Sequence, residues 1–399
     1  MTKTGISLEM IYDARRMLRD VARLTPIISA PSINENMYIK AENLQLTGSF
    51  KLRGAFYKIS RLTAEERARG IIACSAGNHA QGVALSATRM GVKSIICMPA
   101  GAPLSKVEAT EGYGGKVILV PGVYDDAYAH AKELAEKEGY TFVHPFDDDS
   151  IIAGQGTIGL EILDQMPDVE AVVVPIGGGG LISGVAYAIK SIKPECKVYG
   201  VQAKGAPGML SAVKNGRVEA LESVSTIADG IAVKRPGDLT FEYCRRYVDG
   251  LVTVSEGEIA SAILTLMEAN KTVSEGAGAA AVAAVMFDKL DLQNKKVVSI
   301  VSGGNIDVNI LSRVITKGLV KTGRLSAFST CIPDKPGQLM NLLDIIGKSG
   351  ANIMSIDHNR EDQQGGVDTA VVNAVLETRS MTHAEEISAA LIEAGYELL

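Results

Sequence analysis

The chain has 399 residues, 46% hydrophobic and 22% charged, a length suited to two or three domains and a composition that excludes global disorder. Its net charge of −6, with no basic stripe, argues against nucleic acid as a partner, and no apolar run reaches the length of a membrane span. Five scattered cysteines without a CxxC pair fit small core fillers in a reducing cytoplasm, and five dispersed histidines offer no metal cluster.

The N-terminus lacks an apolar signal core and enters an amphipathic helix capped by Ser7, which Thr25-Pro26 ends. Residues 38–42 read as a strand leading into Leu46-Thr47-Gly48-Ser49-Phe50-Lys51-Leu52-Arg53-Gly54-Ala55-Phe56. Ser49 is the expected helix N-cap, with Leu52, Ala55, Phe56 and Ile59 following at helical spacing. Lys51 then falls in the first turn, where unpaired N–H groups already present positive charge, and any burial lowers its pKa further. Such an amine in a Gly-rich setting suits Schiff-base chemistry.

Strand and helix then alternate. Strands are expected at 71–74, 95–98, 171–176 and 297–301, and their uniformly apolar character points to parallel sheet covered on both faces, an α/β class. Three of them run into polar, glycine-bearing loops that precede helices: Ser75-Ala76-Gly77-Asn78-His79, Gly177-Gly178-Gly179-Gly180 and Ser302-Gly303-Gly304-Asn305. Loops at the carboxyl ends of parallel strands are where ligands bind, so the three are expected to converge with Lys51 on one ligand. The four glycines at a helix start form an anion nest suited to phosphate, Ser302 offers a neutral hydroxyl and Asn78 an amide. That set matches pyridoxal phosphate better than a nucleotide. The GxGxxG match at Gly154-Gln155-Gly156-Thr157-Ile158-Gly159 follows an acidic run instead of a strand, and the strand at 171–176 ends without an acidic residue for a ribose. It reads as a helix start packed closely through glycines, which disfavours a nicotinamide dehydrogenase.

Residues 317–325 read as a linker. Beyond it, strand 326–332, helix 337–349, strand 352–359, a Gly365-Gly366 turn, strand 367–376, helix 382–394 and a short final strand in 396–399 make a ferredoxin-like βαββαβ unit.

The Lys51 motif, the Ser75–Gln81 stretch continuing to Gly82, the four glycines with Leu181, Glu275-Gly276-Ala277-Gly278-Ala279 and Ser302-Gly303-Gly304-Asn305, occurring in this order, resemble the fold-type II pyridoxal-phosphate enzymes (tryptophan synthase β-like), in the threonine/serine dehydratase branch. The resemblance covers roughly residues 5–322. Residues 323–399, with Asp334-Lys335-Pro336-Gly337-Gln338-Leu339, resemble an ACT regulatory domain. It implies a catalytic domain over 1–322 of two parallel-sheet subdomains, the smaller at about 48–152 inserted in the larger. It also implies that Lys51 holds the cofactor and takes the α-proton, with Phe50 beside it. Asn78 would meet the 3′-oxygen, Gly177, Gly178, Gly179, Gly180 and Leu181 the phosphate, and Ser302 the ring nitrogen. Ser75, Ala76, Gly77, Asn78 and His79 would hold the substrate carboxylate, and Glu275 would lie near the ring. The implied reaction is β-elimination from L-threonine to 2-oxobutanoate and ammonia, and from L-serine to pyruvate, with L-serine dehydratase or another hydroxy-amino-acid ammonia-lyase of the same fold as the alternative. An amino-acid effector would sit at Asp334, Pro336, Gly337, Leu339, Asn352 and Ile353, and the enzyme would be a cytoplasmic homodimer or homotetramer. Two departures stand out. Serine racemases of this fold carry serine where this chain has Ala76, and their metal-binding carboxylates are replaced here by Gln202, Ala206 and Gly208, so no metal is expected.

Overall fold

The computed structural model describes residues 5–361 and 368–399, so the turn expected at Gly365-Gly366 lies outside the described residues. Two compact units result, Met1–Asp307 and Val308–Leu399. The strands in chain order are β1 (Ile27–Ser29), β2 (Met37–Ala41), β3 (Ile71–Cys74), β4 (Ser94–Pro99), β5 (Lys116–Val120), β6 (Thr141–Phe142), β7 (Ala171–Pro175), β8 (Lys197–Ala203), β9 (Gly250–Val254), β10 (Val297–Val301), β11 (Leu325–Pro333), β12 (Asn352–Asn359) and β13 (Thr369–Glu377).

The first unit holds two sheets. The larger runs β1-β2-β10-β7-β8-β9, parallel except for β1, and the smaller runs β5-β4-β3-β6, parallel throughout. The smaller sheet is formed by strands that lie in sequence between β2 and β7. Every residue of β3, β7 and β10 is buried, as their unbroken apolar runs require. Ser7 caps the helix Leu8–Leu18 by accepting from Met10 N, and Ile11, Ala14 and Leu18 form its buried face.

The Ser75 loop follows β3 in the smaller sheet, while the Gly177 and Ser302 loops follow β7 and β10 in the larger. Strands pair first with sequence neighbours, and β3 finds β4 and β6 before β7 begins. Three expectations need correction. Ser49 is not the N-cap of the Lys51–Ser60 helix; Phe50 holds that position with no side-chain bond. Ser49 instead bridges Gly303 in antiparallel fashion, and Phe50 N donates to Ser302 O at 3.1 Å, so the backbone turns helical only at Phe50 (φ −60°, ψ −19°). The Gly154–Gly159 stretch lies inside the helix Asp149–Gln165, which Asp148 caps, instead of at its start. Its close packing does hold: a Cβ on Gly154 would lie 2.6 Å from Gly54 Cα, and one on Gly156 3.0 Å from Gly184 O. Finally, the expected linker 317–325 is mostly helix and strand. The helix Val308–Lys321 carries Gly318 buried within it, turns off at Gly323 (φ +67°), and β11 starts at Leu325.

In the second unit β11, β13 and β12 form an antiparallel sheet in that order, and Leu398 makes the expected last contact by bridging Thr330. Leu342 and Ile346 of the helix Gln338–Lys348, and Ile387 and Leu391 of the helix Met381–Glu393, pack with Ile332, Val372, Ala374 and Leu376.

Candidate active site

Lys51 is the first residue of its helix, and its Nζ donates to Pro145 O at 2.8 Å above the Phe50 ring, 5.3 Å from the ring centroid. Burial brings the amine down to about 8, against the pull of the Glu275 carboxylate. The expected poise is therefore present, and removal from water is its main cause.

The next residue after Pro145 reaches the glycine loop. A Cβ on Gly178 would overlap the Phe146 ring, one on Gly180 would lie 2.9 Å from Phe146 O, and Gly179 adopts φ +99° with Thr240 2.7 Å from a Cβ. Only bare backbone fits there. The helix Gly180–Ile192 starts with no side-chain cap, so its first-turn N–H groups are left for an anion, and Leu181 lies buried behind them. Asp147 Oδ1 accepts from Leu239 N (3.0 Å) and Thr240 N (3.1 Å), and Thr240 Oγ1 donates to Gly178 O, which together fix the loop's outer wall. Ser302, at the end of β10, is buried.

The opposite wall comes from the smaller sheet. Ser75, Ala76, Gly77 and Asn78 remain partly open between β3 and the helix Asn78–Arg89, and Ser75 Oγ accepts from Gly77 N at 3.2 Å. His79 faces away from the cleft: its ring is buried and bonds Val143 O at 3.0 Å. Because a carbonyl only accepts, Nε2 carries the proton. Burial lowers this imidazole to about 3, and the Lys51 charge acts the same way. Any part His79 plays toward a ligand is through its backbone. Asn78 Nδ2 donates to Glu275 Oε1 at 2.7 Å, and burial lifts that carboxyl to about 7 despite this bond. Glu275 N bonds Gly303 O at 3.1 Å, which ties the acid to the Ser302 loop. Lys51, Phe50, Asn78, the glycine loop, Ser302 and Glu275 are thus brought together.

Several participants went unread in the sequence. His144, Pro145, Phe146 and Asp147 line the site from the segment after β6. His144 Nδ1 accepts from Phe146 N (3.3 Å) and Asp147 N (2.8 Å), and burial holds this ring down to about 4. The His-Pro-Phe-Asp-Asp-Asp run just before a capped helix was the available signal. Asn305 was inside a recognised motif but had no role assigned; it donates to Asn78 Oδ1 at 2.8 Å. Behind the Lys51 helix, Lys40, Glu42, Arg53 and Glu161 form a buried charge cluster.

The residues proposed for an effector are not adjacent within the second unit. Asp334 follows the end of β11, donates from its N to Asp368 O at 2.9 Å and pairs with Arg360 at 3.0 Å. Pro336 and Gly337 (φ +89°) lead into the helix Gln338–Lys348, of which Leu339 is the second residue. Asn352 and Ile353 open β12, and Asn352 Nδ2 lies 3.3 Å from Glu377 Oε2. Pro333 pairs with Thr369 and Asn352 with Glu377, opposite ends of β13 and roughly 27 Å apart along the strand.

The donor set fits pyridoxal phosphate: a lowered lysine amine, a backbone cradle that any side chain would fill, a buried neutral hydroxyl and an amide. The family of pyridoxal-phosphate dependent enzymes matches residues 18–303. An L-threonine ammonia-lyase from Thermotoga maritima is 52% identical over 397 residues, 98% of this chain and 99% of that one. Another from Geobacter sulfurreducens is 43% identical over 391 residues, 97% of each chain. Among solved structures, the processed form of threonine deaminase isoform 2 from Solanum lycopersicum superposes with a TM-score of 0.74 at 40% identity, covering 77% of this chain and 87% of that one. Maize serine racemase gives a TM-score of 0.74 at 35% identity over 79% and 99%. Together with the geometry of the cleft, these place the chain among the pyridoxal-phosphate dependent enzymes of fold type II.

Proposed function

We propose that this enzyme is a threonine ammonia-lyase, removing water and then ammonia from L-threonine to give 2-oxobutanoate, with L-serine to pyruvate as a second substrate. The observation that carries the reading is the buried Lys51 amine, brought down to about 8 by burial and donating to Pro145 O, next in the chain to the Phe146 that packs on the side-chain-free glycine loop. Relatives named for this activity match nearly the whole chain.

Lys51 would be the attachment point of the cofactor and, when freed, the base that receives the substrate's α-proton at Nζ. The first-turn N–H groups of the Gly180–Ile192 helix would hold the phosphate, and Asn78 and Ser302 would bond the ring's polar atoms. Pyridoxal phosphate supplies an electron sink for the charge left when the α-proton departs. Ser302 is a neutral partner that cannot keep a ring nitrogen protonated, which favours passing that charge on to a leaving hydroxyl. Backbone N–H groups of the Ser75–His79 loop would orient the substrate carboxylate. A racemase needs a second proton carrier on the other face; the methyl of Ala76 carries none.

For the second unit, the reading is an ACT-like regulatory domain that binds a small amino acid, isoleucine first among candidates as an end product downstream of 2-oxobutanoate. The Asp334–Leu339 turn and the start of β12 would form one site only between two copies. β12 is the sheet's edge with Met354 and Ile356 exposed, and antiparallel pairing of two such edges would bring one copy's strand end to the other's strand start. A dimer or tetramer in the cytoplasm is the corresponding expectation; among the described residues no helix is long and apolar enough to cross a membrane.

The test is 2-oxoacid and ammonia release by purified enzyme with L-threonine, L-serine and D-serine. Turnover of the two L-substrates is expected. Production of D-serine without 2-oxoacid would overturn the assignment.

A further inference from the structure

Asn305 lies just past the glycines that follow β10. Its Nδ2 donates to Thr47 O at 2.7 Å and to Asn78 Oδ1 at 2.8 Å, with Gln81 Oε1 at 3.4 Å. Which end of an amide is nitrogen is decided by its neighbours. The Thr47 carbonyl can only accept, so it fixes the NH2 end of Asn305. Asn78 must then offer its oxygen to Asn305, and its own nitrogen faces Glu275 Oε1 at 2.7 Å. The donors run one way, from Asn305 to Asn78 to Glu275, and a main-chain carbonyl sets the direction.

The fold makes room for this relay. Gly48 has φ +69°, and a Cβ there would sit 3.0 Å from Asn305 Cγ; one on Gly303 would lie 2.6 Å from Glu275 Oε1 and 3.2 Å from Asn78 Nδ2. Gly304 N donates to Gly48 O at 2.9 Å and holds the two loops together. The relay also crosses between sheets, since Asn78 and Gln81 belong to the helix after β3 while Glu275 and Asn305 flank β10.

We propose that Asn305 is a positioning residue: it locks Asn78 with its N–H side toward Glu275 and so favours the carboxylate form of that acid. The proposal rests on the site reading given above. The charged groups facing Glu275 are Lys51 from its own helix, Lys106 from the helix Leu104–Gly112 and Asp229 from the turn Asp229–Ile231. Burial raises the carboxyl, the Asn78 bond and the two lysines oppose this, and Asp229 adds to it. None of the three charged groups is changed by a substitution at 305.

Asn305→Asp reverses the relay. Asn78 would turn its NH2 to the new carboxylate and its oxygen to Glu275, which must then keep a proton to donate. In full-length holoenzyme, infrared titration of the Glu275 carboxyl band, identified by its loss in Glu275→Gln, should move up by about one pH unit or more. The acid limb of kcat/KM should move with it, and kcat should fall about 10–100-fold, the usual cost of losing a group that orients a site residue. Asn305→Ala should shift the band the same way by less, and it carries the test if the aspartate variant does not fold. A band that titrates at the wild-type pH in the variants overturns the proposal. If wild-type enzyme makes no 2-oxoacid and yet the band shifts, the threonine reading fails while the positioning role stands.

Discussion

Arg53 grips Glu42 at two points, Nε to Oε2 and Nη2 to Oε1, each at 2.8 Å, on the same helix as Lys51 and two residues beyond it. Burial works against the guanidinium's charge, but Glu42 and Glu161 outweigh it and its pKa is raised. Glu161 also accepts from Lys40 Nζ at 2.6 Å and from Arg53 Nη1 at 2.6 Å. One carboxylate thus compensates two buried cations. Glu161→Gln leaves both short of charge, and the expected loss is about 3–5 kcal/mol of stability. Chemical denaturation measures it; a loss below about 1 kcal/mol would mean that water reaches the cluster.

Lys51→Ala should abolish the lysine-linked cofactor absorbance and threonine turnover together, because one amine serves attachment and proton transfer. Lys40 and Lys58, the nearest other lysines in sequence, are held by Glu161 and Asp148 at 2.6 Å each and are poor substitutes. Attachment at another lysine with near-normal turnover, read by mass spectrometry after borohydride reduction, would contradict the assignment.

His79 and His144 give the fold an acid-sensitive window. Both are held well below the ordinary imidazole value, to about 3 and about 4, with burial as the leading cause. A depressed folded pKa means that the unfolded chain binds more protons as pH falls from about 6.5 toward those values. Stability is therefore present above about pH 6.5 and is lost on acidification, by about 1.4 kcal/mol per pH unit for each ring. His79→Gln should remove one ring's share of that slope in denaturation curves taken from pH 7 to pH 4. An unchanged slope would show that the ring is already protonated when folded.

Gln202 occupies the place where the resemblance to racemases expects a metal-binding carboxylate. Its Nε2 faces Ile176 O at 3.4 Å and Ala206 O at 3.2 Å, and its Oε1 accepts from Leu210 N at 2.8 Å. Chelator treatment followed by dialysis should leave turnover and thermal midpoint unchanged. Gln202→Glu sets a carboxylate against two carbonyls and should destabilise by about 1–3 kcal/mol. Restoration of chelated wild-type enzyme by magnesium or calcium would contradict this.

Chain termination after Gly323 should leave a catalyst that turns over threonine but no longer responds to an amino acid. In the full chain, coupling of about 1–3 kcal/mol would change apparent threonine affinity several-fold with millimolar isoleucine. Equal responses from both proteins, or none from the full chain, would remove the regulatory reading.

The parts of the site legible in the sequence were those fixed by local rules. Glycine runs at strand ends marked the bare-backbone turns, and β3 and β10 were read to the residue, because apolar runs between polar breaks mark buried strands. What could not be read depended on distant partners. Ser49 has an N-cap's identity, yet pairing with Gly303 overrides local preference. Gly318 looks like a helix stop but is a buried contact within a helix. Pro145 reaches Lys51 from 94 positions away through its main-chain oxygen, which no residue type announces.

The helix Asp149–Gln165 touches the Lys51–Ser60 helix at Gly154, where a Cβ would meet Arg53 O at 2.7 Å, and the Gly180–Ile192 helix at Gly159, where one would meet Val185 O at 3.0 Å. At these two points backbone meets backbone, and neither helix can yield there without the other moving. On the proposed reading, the middle helix would work as a gauge block, setting the span between the Lys51 helix and the glycine loop that the cofactor would bridge. A methyl added at Gly154 would lengthen that gauge, and its effect would be read as a misfit of the cofactor far from any atom the cofactor touches.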